Sequence, residues 1–113
     1  MNTIVEPRDR TADVDGLSMH YLEWGNPTKP TIVLLHGLRG HAHSWDDVSE
    51  ALSPELHVLA LDQRGRGLTD WAPGGDYSID AFVGDLVGFC RVLGLEKFIL
   101  MGHSMGARNS MAF

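Results

Sequence analysis

The chain is short of three things, and each shortage narrows what it can be. It has one cysteine, Cys90, which excludes an internal disulfide and fits a reducing compartment. It has no basic tract: Lys and Arg number 9 against 15 Asp and Glu, a formal charge of −6. That balance argues against nucleic acid or an anionic membrane surface as a partner. It also has no apolar run near the length that crosses a bilayer. The opening stretch, MNTIVEPRDRTADVDG, is polar and broken by Pro7, so it lacks the apolar core of a signal peptide. These absences describe a soluble, cytoplasmic protein. The 113 residues allow one domain with a modest core and not two. Residues 1–12 read as a flexible lead-in to that single domain.

What is present is a regular alternation of apolar runs and amphipathic segments. Leu17–Gly25 places Leu17, Met19 and Tyr21 opposite Ser18, His20 and Leu22, a roughly period-2 pattern that predicts an antiparallel strand. Thr31–His36, His57–Asp62 and Lys97–Gly102 are short, continuous apolar runs of the kind found in strands covered on both faces. Between them, Ser44 precedes a helical pattern with Trp45, Val48 and Leu52 on one face, stopped by Pro54. A second helix starts after Ser78. Its apolar face carries Ile79, Phe82, Val83, Leu86, Cys90 and Leu93, with Asp80, Asp85 and Arg91 expected elsewhere and Gly94 closing it. A strand pair, then strand–helix–strand–helix–strand and a helix just beginning, predicts an α/β fold with a mostly parallel sheet flanked by helices.

The last strand runs into Gly102-His103-Ser104-Met105-Gly106. Thirteen glycines make a chance match to this pattern ordinary, so its position carries the weight. A serine hydroxyl is a poor nucleophile until a base takes its proton, and it must stand clear of its neighbours to be reached. A sharp strand-to-helix turn supplies that exposure by straining the serine backbone, which crowds the residues two before and two after. Here both are glycine, Gly102 and Gly106. The Met105 N–H, at the helix N-terminus, points toward any oxyanion formed at a carbonyl under attack. A second backbone donor is needed, and the glycine-containing turn His36-Gly37-Leu38 after the first apolar run is placed to provide it.

Three ordered motifs now stand at three strand ends. They are His-Gly-x-x-Gly from His36, Asp-x-Arg-Gly-x-Gly-x-Thr-Asp from Asp62, and Gly-His-Ser-Met-Gly from Gly102. Together they resemble the α/β-hydrolase superfamily, and the resemblance runs from about Gly16 to Phe113. It implies Ser104 as nucleophile, with the N–H groups of Leu38 and Met105 as the oxyanion hole. It implies that His36 orients its loop and that Asp62, Arg64 and Gly65 are architectural. Epoxide hydrolases and haloalkane dehalogenases of this superfamily carry aspartate at the nucleophile position. Ser104 therefore points to hydrolysis of an ester, lactone, thioester or activated carbon–carbon bond, and the Asp62–Gly67 segment is similar to esterase and enol-lactonase members and less like carbon–carbon hydrolases.

Gly37, Trp45 and His103 are expected to border the substrate, a small acyl compound. For Trp45 core packing is an equal alternative, and Trp24 and Trp71 read as packing or loop residues. His41 and His43 lie two apart without acid or cysteine partners, weak support for a metal. Gly65-x-Gly67 begins a phosphate-loop pattern but has Asp70 where the third glycine belongs. No metal and no cofactor are expected.

A serine nucleophile needs a base held by a carboxylate. In this superfamily the order along the chain is serine, acid, histidine. All six histidines precede Ser104, and MGARNSMAF after it contains no His, Asp or Glu. The resemblance also implies about three further strands, so Lys97–Gly102 would form an exposed apolar edge. Two functions follow. One is the N-terminal part of a serine hydrolase whose acid and histidine lie in other sequence. The other is a module that self-associates, or binds a complementing C-terminal segment, through that edge without turnover.

Overall fold

A computed structural model describes residues 6–113 of the chain. The strands are β1 (Arg8–Val14), β2 (Leu17–Trp24), β3 (Thr31–Leu35), β4 (His57–Leu61) and β5 (Ile99–Gly102). The helices are α1 (Asp46–Leu52), α2 (Ile79–Leu93) and α3 (Met105–Ala112). The strands form one mixed sheet in the order β1-β2-β4-β3-β5, with β3 parallel to both β4 and β5 and β2 antiparallel to β1 and β4. Among the described residues no helix is long and apolar enough to cross a membrane.

The continuous apolar strands are explained by two separate cores, one on each face of the sheet. Val33, Leu35, Leu59 and Leu61 face α2 and pack with Leu86, Phe89 and Cys90. Their neighbours Ile32, Leu34, Val58 and Ala60 face the other way, with Trp45, Leu52 and Leu56 packed against them. Side chains alternate across a strand, so a strand sandwiched between helices must be apolar at every position. Each fully buried Leu or Phe contributes about 1.5–3 kcal/mol over the exposed state. β2 belongs to the same interior: Leu17, Met19 and Tyr21 face α2, while Leu22 and Trp24 join the opposite core. Tyr21 meets Phe89 edge-on, with ring centroids 5.0 Å apart.

Three sequence expectations change. The flexible stretch expected over residues 1–12 falls, for residues 1–5, outside the described residues, and from Arg8 the chain is β1, paired along its length with β2. The hairpin turns at Asp15-Gly16, both in the left-handed region at φ 52° and 87°, the signature of a two-residue turn. Ser44 does not cap α1. A 3-10 turn over Ala42–Trp45 precedes the helix, and the Ser44 hydroxyl accepts from the His41 N–H at 3.1 Å. The chain thus begins to coil one turn earlier than the apolar spacing suggests. Asp85, placed by periodicity away from the apolar face, is buried and takes a bidentate ion pair from Arg64 at 2.6 and 2.7 Å. α2 keeps its expected caps: the Ser78 hydroxyl accepts from the Ala81 N–H at 3.1 Å, and Gly94 ends the helix at φ 67°.

The Arg64–Asp85 pair has little water around it, so removing one partner leaves a buried charge. Asp85→Ala should lower the unfolding free energy by about 3 kcal/mol, read as an earlier urea midpoint; an unchanged midpoint would contradict the pairing's role. Glu23 offers a second check. Partial burial pushes its carboxyl up, but hydrogen bonds from His57, Arg10 and Arg8 outweigh that and hold it below the ordinary carboxylate value. Its stabilising contribution is therefore present above the unfolded value of about 4.3 and is lost as pH falls through the lower folded value. The stability gap between the native protein and Glu23→Gln should shrink on acidification below about pH 4.3, measured by denaturant titration across pH.

Candidate active site

β5 ends at Gly102 and α3 begins at Met105, so His103 and Ser104 must reverse the chain in two residues. Ser104 does this at φ 56° and ψ −112°, in the region that β-carbon sterics disfavour. The serine is exposed and its hydroxyl does not cap the helix that follows. The two glycines are required by contact. A β-carbon on Gly102 would overlap the Gly106 carbonyl, and one on Gly106 would overlap the Leu35 carbonyl at the end of β3. The His103 N–H extends the β5–β3 ladder to the Leu35 carbonyl at 3.1 Å, so the turn is tied to the sheet up to the residue before the serine.

The loop after β3 meets this turn directly. A β-carbon on Gly37 would stand 2.9 Å from His103 Nδ1 and 3.1 Å from the Ser104 β-carbon. The segment then folds on itself, with the Gly40 N–H donating to the Gly37 carbonyl at 3.0 Å and Arg39 at φ 66°. The Leu38 and Met105 N–H groups have no protein acceptor among the described residues. Two unpaired donors therefore stand on the two segments that converge at Ser104.

His36 is buried beneath the loop. The Gln63 N–H donates to its Nε2 at 2.9 Å, so Nε2 is unprotonated and Nδ1 carries the proton that it donates to the Gly37 carbonyl at 2.8 Å. Burial pushes its pKa down, which keeps the ring neutral and suits both bonds. Asp62, at the end of β4, organises the neighbouring loops. It accepts from the Ala42 N–H at 2.6 Å and the Leu68 N–H at 2.9 Å, and it pairs with His20 Nδ1 at 2.6 Å. Gly67, at φ 51°, leaves room for that carboxylate, which a β-carbon there would overlap.

The sequence candidates fall into two groups. Ser104, Met105, Gly37, Leu38 and His103 come together at the strand ends. Trp45 joins them in a cleft of about 280 Å³ lined by His36, Gly37, Ser44, Trp45, Val48 and His103. The same ring also packs on the core that faces α1. Of the other four histidines three have acid partners elsewhere, His20 with Asp62 and Asp9, His57 with Glu23 and His43 with Asp46, and His41 stands edge-on to His43 with ring centroids 6.1 Å apart. Trp24 is core and Trp71 is an exposed loop residue. Cys90 lies in the core, where burial pushes its thiol pKa up and keeps it unreactive. No group of three metal-ligating side chains occurs among the described residues.

Sequence reasoning missed Gln63 and Asn109. The buried Asn109 amide donates to Gln63 Oε1 at 2.8 Å, and Gln63 Nε2 donates to the His36 carbonyl at 2.8 Å. A polar residue on the sheet-facing side of α3 was the available signal, and an eight-residue helix is too short for its periodicity to reveal it.

A family model described as alpha/beta hydrolase fold matches residues 30–113. Among curated relatives, N-formylmaleamate deformylase of Pseudomonas putida is 38% identical over 108 residues, covering 96% of this chain and 39% of that protein. Epoxide hydrolase A of Mycobacterium tuberculosis is 36% identical over 103 residues, covering 89% of this chain and 32% of that protein. The crystal structure of an epoxide hydrolase from Vigna radiata aligns with a TM-score of 0.86 at 34% identity, over 93% of this chain and 34% of that one. The chain thus spans between 32% and 39% of the length of these proteins.

Gly102→Ala should force the strand end and α3 apart. The expected result is a loss of stability of about 2 kcal/mol or more, together with weaker labelling of Ser104 by a fluorophosphonate. Native stability and native labelling in this variant would show that the close approach is dispensable.

Proposed function

This chain belongs to the alpha/beta hydrolase fold family, and from that premise we propose that it is part of a serine hydrolase acting on small carboxylic esters or related acyl compounds, lactones and thioesters included. The observation that carries the reading is Ser104 itself: a strained, exposed serine packed against the backbone of Gly37, with two unpaired N–H groups beside it. In the proposed mechanism Ser104 Oγ attacks the acyl carbonyl, and its proton passes to a histidine base. The Leu38 and Met105 N–H groups hold the oxyanion of the tetrahedral intermediate. Collapse expels the alcohol or thiol, which takes the proton from the histidine and leaves an ester on Ser104. Water, deprotonated by the same histidine, then releases the acid and restores the serine.

The base and its carboxylate are assigned to sequence following Phe113, because in this family they come after the nucleophile. No histidine of the present chain is hydrogen-bonded to the Ser104 hydroxyl among the described residues. The substrate is placed in the cleft between Gly37, Trp45 and His103. Relatives named as epoxide hydrolases do not transfer their substrate directly. The superfamily's epoxide hydrolases carry aspartate where this chain has Ser104, and an alkyl-enzyme ester made on a carboxylate differs from an acyl ester made on a hydroxyl.

A second reading, assembly without turnover, rests on the β5 edge. Ile99 and Met101 are half-exposed there and, among the described residues, pair on one side only, with β3. That edge is the proposed surface for a complementing C-terminal segment or a second copy.

The deciding experiment measures hydrolysis of a short-chain p-nitrophenyl ester by the protein that carries this chain. Ser104→Ala is expected to lower kcat/KM by at least about a thousandfold. Hydrolysis that survives the substitution would sink the nucleophile assignment. A protein that forms a stable oligomer and neither turns over the ester nor reacts with fluorophosphonate would favour assembly.

A further inference from the structure

An oxyanion donor is useful only if its peptide plane is fixed before the charge develops. The Leu38 N–H belongs to the peptide whose carbonyl is Gly37 O. That carbonyl accepts from His36 Nδ1 at 2.8 Å and from the Gly40 N–H at 3.0 Å. Bonds to the carbonyl oxygen of a peptide orient its N–H and polarise it toward stronger donation. The preceding peptide is held as well, since the His36 carbonyl accepts from Gln63 Nε2 at 2.8 Å. Gln63 is in turn fixed by Asn109, whose Nδ2 donates to Gln63 Oε1 at 2.8 Å. Asn109 lies one helical turn beyond Met105, so both stand on the same side of α3.

We propose that Asn109 and Gln63 are positioning residues for the oxyanion hole, a buried relay that sets the Leu38 N–H from the same helix that carries the Met105 N–H. This inference rests on the reading of Ser104 as nucleophile with Leu38 and Met105 as oxyanion donors. Three features favour a relay over ordinary packing. The amides are almost wholly buried, at 1% exposure for Asn109 and 4% for Gln63. Each end is directional, because Gln63 can donate to His36 O only with its oxygen turned toward Asn109. The line also joins the two donor segments, which meet as well at the glycine contacts of Gly37 and Gly106. Without it the loop after β3 would keep its position but lose the bond that fixes the His36–Gly37 peptide plane, one peptide before the Leu38 N–H.

Two isosteric variants in the protein carrying this chain test the relay. In Asn109→Asp the carboxylate cannot donate to Gln63 Oε1. In Gln63→Glu the carboxylate cannot donate to the His36 carbonyl. For each, kcat on a short-chain p-nitrophenyl ester should fall by about ten- to a hundredfold, less than the loss from deleting an oxyanion donor outright. KM should stay within about twofold, because the ground-state ester makes little use of the hole. Inhibition by an aryl trifluoromethyl ketone, whose serine adduct places an oxyanion in the hole, should weaken by the same factor as kcat/KM. A merely structural role would lower the thermal midpoint without moving inhibitor and kcat/KM together. Wild-type kcat in either folded variant, or a loss carried by KM alone, overturns the relay while leaving Ser104 in place. If Asn109→Asp does not fold, Gln63→Glu carries the same expectation one link nearer His36. Full activity in Ser104→Ala overturns the relay and the catalytic reading together.

Discussion

The first turn of α3 lies so close to the ends of β3 and β5 that only glycine fits at two positions. Gly106 sits against the Leu35 carbonyl, and Gly102 sits against the Gly106 carbonyl. With the helix held there, the chain can pass from β5 into α3 only through a backbone conformation that costs Ser104 about 1–3 kcal/mol. The sheet sustains that strain, because β3 and β5 are locked in parallel register from Ile32 opposite Ile99 to Leu35 opposite Gly102. The same closeness brings Gly37 to His103 and Ser104, so the strained serine and both unpaired N–H groups result from one packing constraint.

Around this point the polar interior acts as a frame. Asp62 gathers the loop after β3, the loop after β4 and His20 of β2 on a single carboxylate. Thr69 adds a further tie, donating to the Asp62 carbonyl at 2.6 Å and accepting from the His20 N–H at 2.9 Å. Arg64 fastens the same loop to α2 through Asp85 and to the Asp76 carbonyl at 2.8 Å. Buried carboxylates are costly unless their oxygens are used, and here the oxygens of Asp62 and Asp85 accept donors from other elements. Strand ends would otherwise carry mobile loops. These bonds turn them into a rigid rim on which a reaction site can be held.

Much of this was legible along the chain. The apolar runs located β3, β4 and β5 because a strand buried on both faces leaves an unbroken signature. Ser78 and Gly94 located α2 because caps act within a few residues. Gly102 and Gly106 announced the serine turn because the clash they avoid is local. The strand pair was expected, but its first member was given no residues because Arg8–Val14 is mostly polar and solvent-facing, and its identity as a strand depends on pairing with β2. The hairpin signal, Asp15-Gly16, stood beside it. Asp85 was misplaced because helical periodicity ranks residues by polarity, whereas a guanidinium 21 positions earlier in the chain makes burial of that carboxylate favourable. Gln63 and Asn109 went unread, since each is an ordinary polar residue until the other is 2.8 Å away.

The division between the two levels is therefore one of range. The sequence by itself determined most of the elements, the alternation that makes an α/β sheet, and the serine on its strained turn. Those depend on side-chain volume, backbone freedom and hydrophobic period within a few residues. Only the tertiary structure decided which loops converge on Ser104, which N–H groups stay unpaired there and which buried amides hold them. Hydrogen bonds between residues 27 and 46 positions apart, as from Gln63 to His36 and from Asn109 to Gln63, exist only after the sheet has brought its strand ends together.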